Sequence, residues 1–131
     1  MGFKKFEEME VWKRGCRVVL EVYKLTKSEK FDKDWGMRDQ IRRASVAIPS
    51  NIAEGYERGT PAEFRHFANI ARGSCGEVRT QLYLCQALGY FSKEDSAKLI
   101  TECVEISSML NSLARQLQKQ STQPKSVSDK T

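Results

Sequence analysis

The sequence predicts an all-α protein, an antiparallel up-and-down four-helix bundle with a kinked second helix and a disordered C-terminal tail. Apolar residues recur at alternating spacings of three and four in four long segments, as they do on one face of a helix. Short connectors rich in capping residues separate these segments, and no segment alternates as a strand does. With 131 residues the chain suits one domain, which we predict as a bundle over 1–120 and a tail over 121–131.

Helix one is predicted over 8–27, after an extended lead-in over 1–7 that Phe3 and Phe6 pin to the bundle. Two apolar stripes lie about 100° apart on it. The first consists of Trp12, Cys16, Val19 and Tyr23, and the second consists of Val11, Val18, Val22 and Leu25. Two adjacent stripes make a wider face than one partner helix needs. The helix therefore packs centrally, or part of this face meets another subunit.

Helix two is predicted over 35–58, with Asp34 as its N-cap and Phe31 as a plug at the end of the core. Pro49 lies inside it and has no N–H, so the carbonyl of Ser45 loses its usual donor and the helix is expected to kink. Its predicted buried face contains a polar residue and a glycine: Met37, Ile41, Ala44, Ile48, Asn51 and Gly55.

Helix three is predicted over 61–88, because Thr60 and Glu63 form a capping box around Pro61 and Gly89 ends the helix. Its heptad-like seam is predicted as Phe64, Phe67, Ala71, Ser74, Val78, Gln81, Cys85 and Leu88. The middle of the helix carries small residues, including Gly73 and Gly76, which let a neighbouring backbone approach closely.

Helix four is predicted over 93–119, with Ser92 as its cap and acidic residues in its first turn. Its seam is Leu99, Cys103, Ile106, Leu110, Leu113 and Leu117. After Gln120 the composition changes to Ser, Thr, Gln, Pro and Lys, which predicts the tail.

The polar residues of helix two allow two interpretations. Asn51 is either a hydrogen-bonded structural residue, which we favour, or part of a shaped polar site at the kink with Glu54 and Arg58. Glu54 and Arg58 are four residues apart and in the favourable order for an ion pair.

Composition and spacing argue against an enzyme, a metal site or a cofactor. His66 and Cys75 are nine residues apart on one predicted helix, about 180° around it, so they form no dyad within a subunit. His66 follows Glu63 by three, but the second Glu-x-x-His pair of a di-metal bundle is missing. The four cysteines form no C-x-x-C pair, which favours reduced thiols in a cytoplasmic protein. The sequence contains neither a long apolar run that would span a membrane nor a signal peptide.

Arginines give the sequence its main functional signal. Arg65, Arg72 and Arg79 recur every seven residues along helix three, and Arg58 precedes them at the same interval, though across the boundary of helix two. Such a stripe tracks phosphates, or it forms salt bridges to Glu54, Glu77 or a neighbouring chain. A second basic cluster on helices one and two includes Arg42 and Arg43 among interspersed acids, and a solvated face is its default interpretation. The aromatic residues mostly fall in the seams, so no exposed aromatic platform is expected.

The chain resembles the bacterial four-helix-bundle family encoded in intervening sequences of 23S ribosomal RNA genes. The resemblance covers 3–117 and is carried by residues 43–55 (RASVAIPSNIAEG), 64–67 (FRHF), 71–77 (ARGSCGE), 81–82 (QL) and 87–90 (ALGY). The family is similar to the accessory variability protein of diversity-generating retroelements, a pentameric ring that binds nucleic acid and a reverse transcriptase. The resemblance implies a ring-forming bundle, with a pentamer favoured, and an RNA- or DNA-related role. It transfers no catalytic residues.

Three hypotheses follow. The first is a non-enzymatic, oligomeric nucleic-acid-binding protein whose phosphate contacts come from Arg42, Arg43, Arg58, Arg65, Arg72 and Arg79. The second is an oligomeric scaffold that binds a protein partner, with the arginines in structural salt bridges. The third, ranked last, is an enzyme that uses the polar kink. The net charge of +5 permits a polyanionic partner without demonstrating one.

Overall fold

The computed structural model describes residues 4–122, and within them the chain forms four long helices and no strand. The helices are α1 Glu10–Leu25, α2 Trp35–Arg58, α3 Pro61–Ala87 and α4 Lys93–Thr122. Each helix packs against the next one in the chain, and α1 also packs against α4. The predicted up-and-down four-helix bundle is therefore confirmed.

The two outer helices differ from the predicted bounds at their ends. Helix α1 begins at Glu10 because Phe6–Glu8 forms a separate 3₁₀ turn and Met9 is extended. Helix α4 continues to Thr122, so the first two residues assigned to the tail are helical. The remainder of the predicted tail, 123–131, and Phe3 lie outside the described residues.

The predicted N-caps form hydrogen bonds that fix where three helices begin. Asp34 Oδ1 accepts from the N–H of Met37 at 3.1 Å, and Thr60 Oγ1 accepts from the N–H of Glu63 at 3.2 Å. The Ser92 hydroxyl accepts a third bond, from the N–H of residue 95 at 3.1 Å. Because these side chains satisfy backbone donors that have no partner inside the helix, the helix starts were predictable from the sequence.

The core follows the predicted seams more closely in α4 than in α3. All six seam residues of α4 are buried. In α3, the prediction for Leu88 is wrong: this side chain is 54% exposed, because the helix has ended and Gly89 (φ 79°) turns the chain away. Phe67 and Gln81 are half-buried, and the centre of the core is filled by residues one position further along, Ala68, Cys75 and Leu82.

Phe31 closes one end of the bundle, as predicted. Its side chain is fully buried, with ring centroids 4.8 Å from Tyr90 and 5.4 Å from Phe91. The hydroxyl of Tyr90 donates to Asp34 Oδ2 at 2.7 Å, which lowers the pKa of this carboxyl. The α3–α4 turn is thereby tied to the start of α2.

Helix α1 meets α2 at the internal proline. A Cβ atom built on Gly15 would lie 3.2 Å from Ile48 Cγ2 and 3.5 Å from Pro49 Cδ. A glycine at this crossing lets the two backbones approach, and both Gly15 and Pro49 are buried.

Candidate nucleic-acid interface

Arg65, Arg72 and Arg79 lie on the flank of α3 that faces α4, and we call these three residues the arginine edge. Gln86, the next position at the same spacing, lines a shallow cleft together with residues of α4: Lys93, Ala97, Ile100 and Thr101. The other flank of α3 faces α2, because Phe67 lies against that helix. The seven-residue spacing thus places the three arginines along the seam between α3 and α4.

The arginine edge has no acidic partner within residues 4–122. All three side chains are half-buried, and none has a carboxylate of residues 4–122 within 4.0 Å. The Nε–H groups of all three are buried and donate to no acceptor in that part of the chain. Arg72 Nη1 donates to the neighbouring Asn69 Oδ1 at 3.2 Å. Buried donors without acceptors are uncommon in folded proteins, so the packing of the bundle leaves these side chains unsatisfied. The half-exposed remainder of each guanidinium is the part that can meet an external acceptor.

Two acids of α4, Glu102 and Glu105, are engaged by α1 on the opposite side of that helix. Arg14 of α1 donates from Nε to Glu102 Oε1 at 2.6 Å and from Nη2 to Glu102 Oε2 at 2.8 Å, with Glu105 at 3.2 Å from Nη2. This two-point pairing lowers the pKa of Glu102 and raises that of Arg14. Glu77, which the sequence offered as a salt-bridge partner, is exposed and forms no ion pair within the described range.

Arg58 does not continue the arginine edge. It is the last residue of α2, and the chain reverses at Gly59, where φ is 86°. Its Nη2 donates to Glu54 Oε1 at 2.9 Å, the ion pair that the spacing predicted, and this bond raises the pKa of Arg58. Its guanidinium also lies 5.0 Å from the ring centre of Phe67. Arg58 therefore belongs to the α2–α3 side of the bundle.

Arg42 and Arg43 form a separate basic group where α2 passes the end of α1. Arg42 Nε donates to Thr26 Oγ1 at 2.8 Å, and its guanidinium lies 4.5 Å from the ring centre of Tyr23. Arg43 is exposed and lines the same groove as Arg42. The six predicted arginines thus divide among three places on the bundle.

The polar residues that follow Pro49 in α2 line an open surface of the described chain. Asn51 is half-buried, and its Nδ2 donates to the carbonyl of Ala47 on the same helix at 2.8 Å, which agrees with the structural interpretation. Glu54 lines only an open depression with Ser50, Ala53, Glu57 and Arg58. The arrangement gives no indication of catalysis at this position.

The cysteines and the histidine are not arranged for catalysis or metal binding within residues 4–122. Burial raises the pKa of the Cys75 and Cys85 thiols to about 11 and that of Cys103 to about 12, so these thiols are protonated at neutral pH. His66 is exposed beside Phe67, with ring centroids 5.2 Å apart. In that range no three His, Cys, Asp or Glu side chains converge as a metal site, and no helix is long and apolar enough to cross a membrane.

Three aromatic residues depart from the prediction that aromatics fall in the seams. Tyr23, which the pattern placed in an apolar stripe of helix one, is 39% exposed. Trp35 is 63% exposed and Tyr83 is 54% exposed. Apolar periodicity identifies the buried face of a helix, but residues at the margin of that face or at a helix end stay partly exposed.

Fold and surface together define a small, basic four-helix-bundle protein. The chain belongs to the 23S rRNA-intervening sequence protein family, whose family model matches residues 7–112. It is also similar to the crystal structure of a protein with unknown function from the S23 ribosomal protein family of Bacteroides thetaiotaomicron VPI-5482. The TM-score is 0.72 at 25% sequence identity, over 79% of this chain and 97% of that one. No curated protein matches the chain. The family resemblance inferred from the sequence is confirmed.

Proposed function

We propose that this protein is a non-enzymatic, ring-forming homo-oligomer of the cytoplasm that binds nucleic acid through its arginine edge. The observation that carries the proposal is the set of three half-buried arginines at seven-residue spacing without a carboxylate partner in the described chain. An unpaired guanidinium is the side chain best suited to bind a phosphate, because its planar fork donates two parallel hydrogen bonds.

The spacing of the edge suits an extended polyanion. Seven residues of α-helix rise about 10.5 Å, so the edge extends over about 21 Å from Arg65 to Arg79. Contacts of this kind position a nucleic acid without reading its bases, so we expect binding to be nearly independent of sequence. The net charge of +5 adds a long-range attraction that raises the rate of association.

Exposed apolar side chains support the assembly into a ring. Leu20 of α1 is 70% exposed, and a group at the end of α3 is about half exposed: Tyr83, Leu84 and Leu88. Apolar surface of this kind is costly in water and is a common mark of a protein interface. The resemblance to ring-forming proteins favours a pentamer. In a ring the arginine edge is repeated in every subunit, so weak phosphate contacts act together.

The same apolar group supports a second candidate, a scaffold that binds a protein partner. In that case Tyr83, Leu84 and Leu88 are covered by the partner, and the arginines pair with carboxylates of a neighbouring chain. The two candidates predict different results when the arginines are replaced. The oligomer keeps its mass if the arginines bind nucleic acid, and it dissociates if they pair with a neighbouring chain.

The deciding experiment combines light scattering with the anisotropy of labelled oligonucleotides in low salt, using the full chain. We expect a triple variant, Arg65→Gln, Arg72→Gln and Arg79→Gln, to lose binding and keep the mass of the wild-type oligomer. The matched control is Arg58→Gln, because Arg58 is paired with Glu54. Dissociation of the triple variant would favour the scaffold. Absence of binding by the wild-type protein to both RNA and DNA in low salt would refute the proposal.

A further inference from the structure

Four side chains at the α1–α2 end of the bundle combine exposed aromatic rings with stacked arginines. Trp35, Arg38 and Arg42 share one edge of α2 at spacings of three and four, and Tyr23 of α1 lies under Arg42. We propose that these four residues, the stacking platform, bind unpaired bases, so that the protein prefers single-stranded nucleic acid to a duplex. This inference rests on the proposed nucleic-acid function and names the class of ligand.

Trp35 presents most of its indole to solvent although a guanidinium already lies on it. The guanidinium carbon of Arg38 lies 3.8 Å from the centre of the Trp35 ring, and Trp35 remains 63% exposed. Arg38 Nε is buried and has no hydrogen-bond partner within residues 4–122. The buried Nε is not accessible to a ligand, but an arginine held flat against an indole with an open ring surface beside it can stack with a base.

Arg42 is fixed in place over the second aromatic ring. Its Nε donates to Thr26 Oγ1 at 2.8 Å, and the fully buried Thr26 hydroxyl in turn donates to the carbonyl of Val22 at 2.7 Å. The guanidinium is thereby held 4.5 Å from the ring centre of Tyr23, which stays 39% exposed. A guanidinium held by such a bond loses little conformational freedom when a ligand binds to it.

The charge of the surrounding groove suits a polyanion with accessible bases. Tyr23, Asp39, Arg42, Arg43 and Val46 line one groove, in which two arginines outnumber the one carboxylate. Aromatic rings and guanidinium planes stack on bases of any identity, but in a duplex the bases are already stacked and paired. The platform can therefore engage only unpaired bases, whereas the arginine edge of α3 binds the phosphates of either form.

Tryptophan fluorescence reports stacking at this position directly, because the chain has two tryptophans, Trp12 and Trp35. In the Trp12→Phe variant, Trp35 is the remaining tryptophan, so tryptophan emission reports on this position alone. We expect a single-stranded oligouridylate to quench its emission and the corresponding duplex to leave it nearly unchanged. The matched control is Trp35→Phe, in which the remaining Trp12 is half-buried against Phe6 and is expected not to respond.

Affinity measurements by anisotropy complete the test. Trp35→Ala is expected to weaken single-strand binding by about 5-fold to 150-fold and to leave duplex binding unchanged. His66→Ala removes an exposed ring that belongs neither to the stacking platform nor to the arginine edge, and it should change neither affinity.

The outcomes separate this inference from the function on which it rests. If the wild-type protein binds neither form of nucleic acid, the proposed function fails and the stacking platform fails with it. If it binds both forms equally and Trp35→Ala changes neither affinity, the platform alone is refuted. If Trp35→Ala dissociates the oligomer, Trp35 is a contact between subunits and the platform is also refuted.

Discussion

Gly55 of α2 lies so close to Phe67 of α3 that a Cβ atom on the glycine would be 2.7 Å from Phe67 Cβ. The same Cβ would lie 3.0 Å from Phe64 Cδ1 and 3.3 Å from Phe64 Cα. The first turns of α3 therefore pack directly on the backbone at the end of α2. Only a residue without a side chain allows this approach without a shift of one helix.

Replacement of Gly55 by alanine is expected to lower the free energy of unfolding by about 1–3 kcal/mol, because the new methyl group overlaps backbone and ring atoms of α3. Urea denaturation followed by circular dichroism measures this change. The control is Gly36→Ala near the start of α2, where the nearest atom would be 3.9 Å away. That substitution should be neutral or stabilising by about 0.5 kcal/mol, because alanine is the better helix former. Equal stability of the two variants would show that the α2–α3 contact is loose.

The sequence was a good guide to the helices because their ends carry local chemical signals. Asp34, Thr60 and Ser92 satisfy backbone donors within their own first turns, and Gly89 adopts the left-handed conformation that ends α3. These interactions involve residues close together in the sequence, so they do not depend on how the helices later pack.

The candidate site was less predictable because it depends on packing between distant segments. Spacing alone aligned Arg58 with Arg65 across the boundary of helix two, but the chain reverses at Gly59 and Arg58 lies beside Phe67, on the α2–α3 side of the bundle. Likewise, the pairing of Arg14 with Glu102 joins residues 88 positions apart, and it engages Glu102 on the side of α4 that faces α1. Periodicity predicts on which face of its helix a residue lies, but it does not predict which residue of another helix lies opposite.

Glu102→Gln is expected to lower the free energy of unfolding by about 1–2 kcal/mol near neutral pH, because it removes charge-assisted hydrogen bonds to Arg14. The pKa of Glu102 is held below its ordinary value of 4.5 by that pairing. Its stabilisation is therefore present above pH 4.5 and is lost as the pH falls through the lower folded-state pKa. Denaturation between neutral and acidic pH should show a weaker acid dependence in the variant. Glu105→Gln, which removes only the longer contact to Arg14, should have a smaller effect on both stability and its acid dependence.

The slope of log affinity against log salt should report the number of phosphate contacts that the arginine edge makes. Each contact contributes a slope of about −0.9 in log affinity against log salt for duplex DNA and about −0.7 for a single strand. Single replacements of Arg65, Arg72 or Arg79 by Gln should each reduce the slope by about that amount per subunit engaged. Anisotropy titrations at several salt concentrations measure it. An unchanged slope in all three variants would assign the phosphate contacts to other residues.

Light scattering at micromolar concentration is expected to give a multiple of the monomer mass of 15.0 kDa, with five subunits favoured by the family resemblance. Replacement of Leu84 and Leu88 by Ser should reduce the mass, since these half-exposed side chains lie at the end of α3. Leu20→Ser on α1 tests the other apolar surface in the same way. A monomer mass for the wild-type protein would contradict the assembly.

The buried thiols also provide a way to follow the opening of the bundle over time. Cys75, Cys85 and Cys103 are inaccessible, and their raised pKa values of about 11, about 11 and about 12 leave almost no thiolate at neutral pH. An alkylating reagent can modify them only during moments when a neighbouring helix moves away and exposes the thiol. Cys16 on α1 is half-buried and is expected to react earlier. The order in which mass spectrometry finds the four sites modified would therefore record which helix detaches first, and whether a bound ligand slows that event.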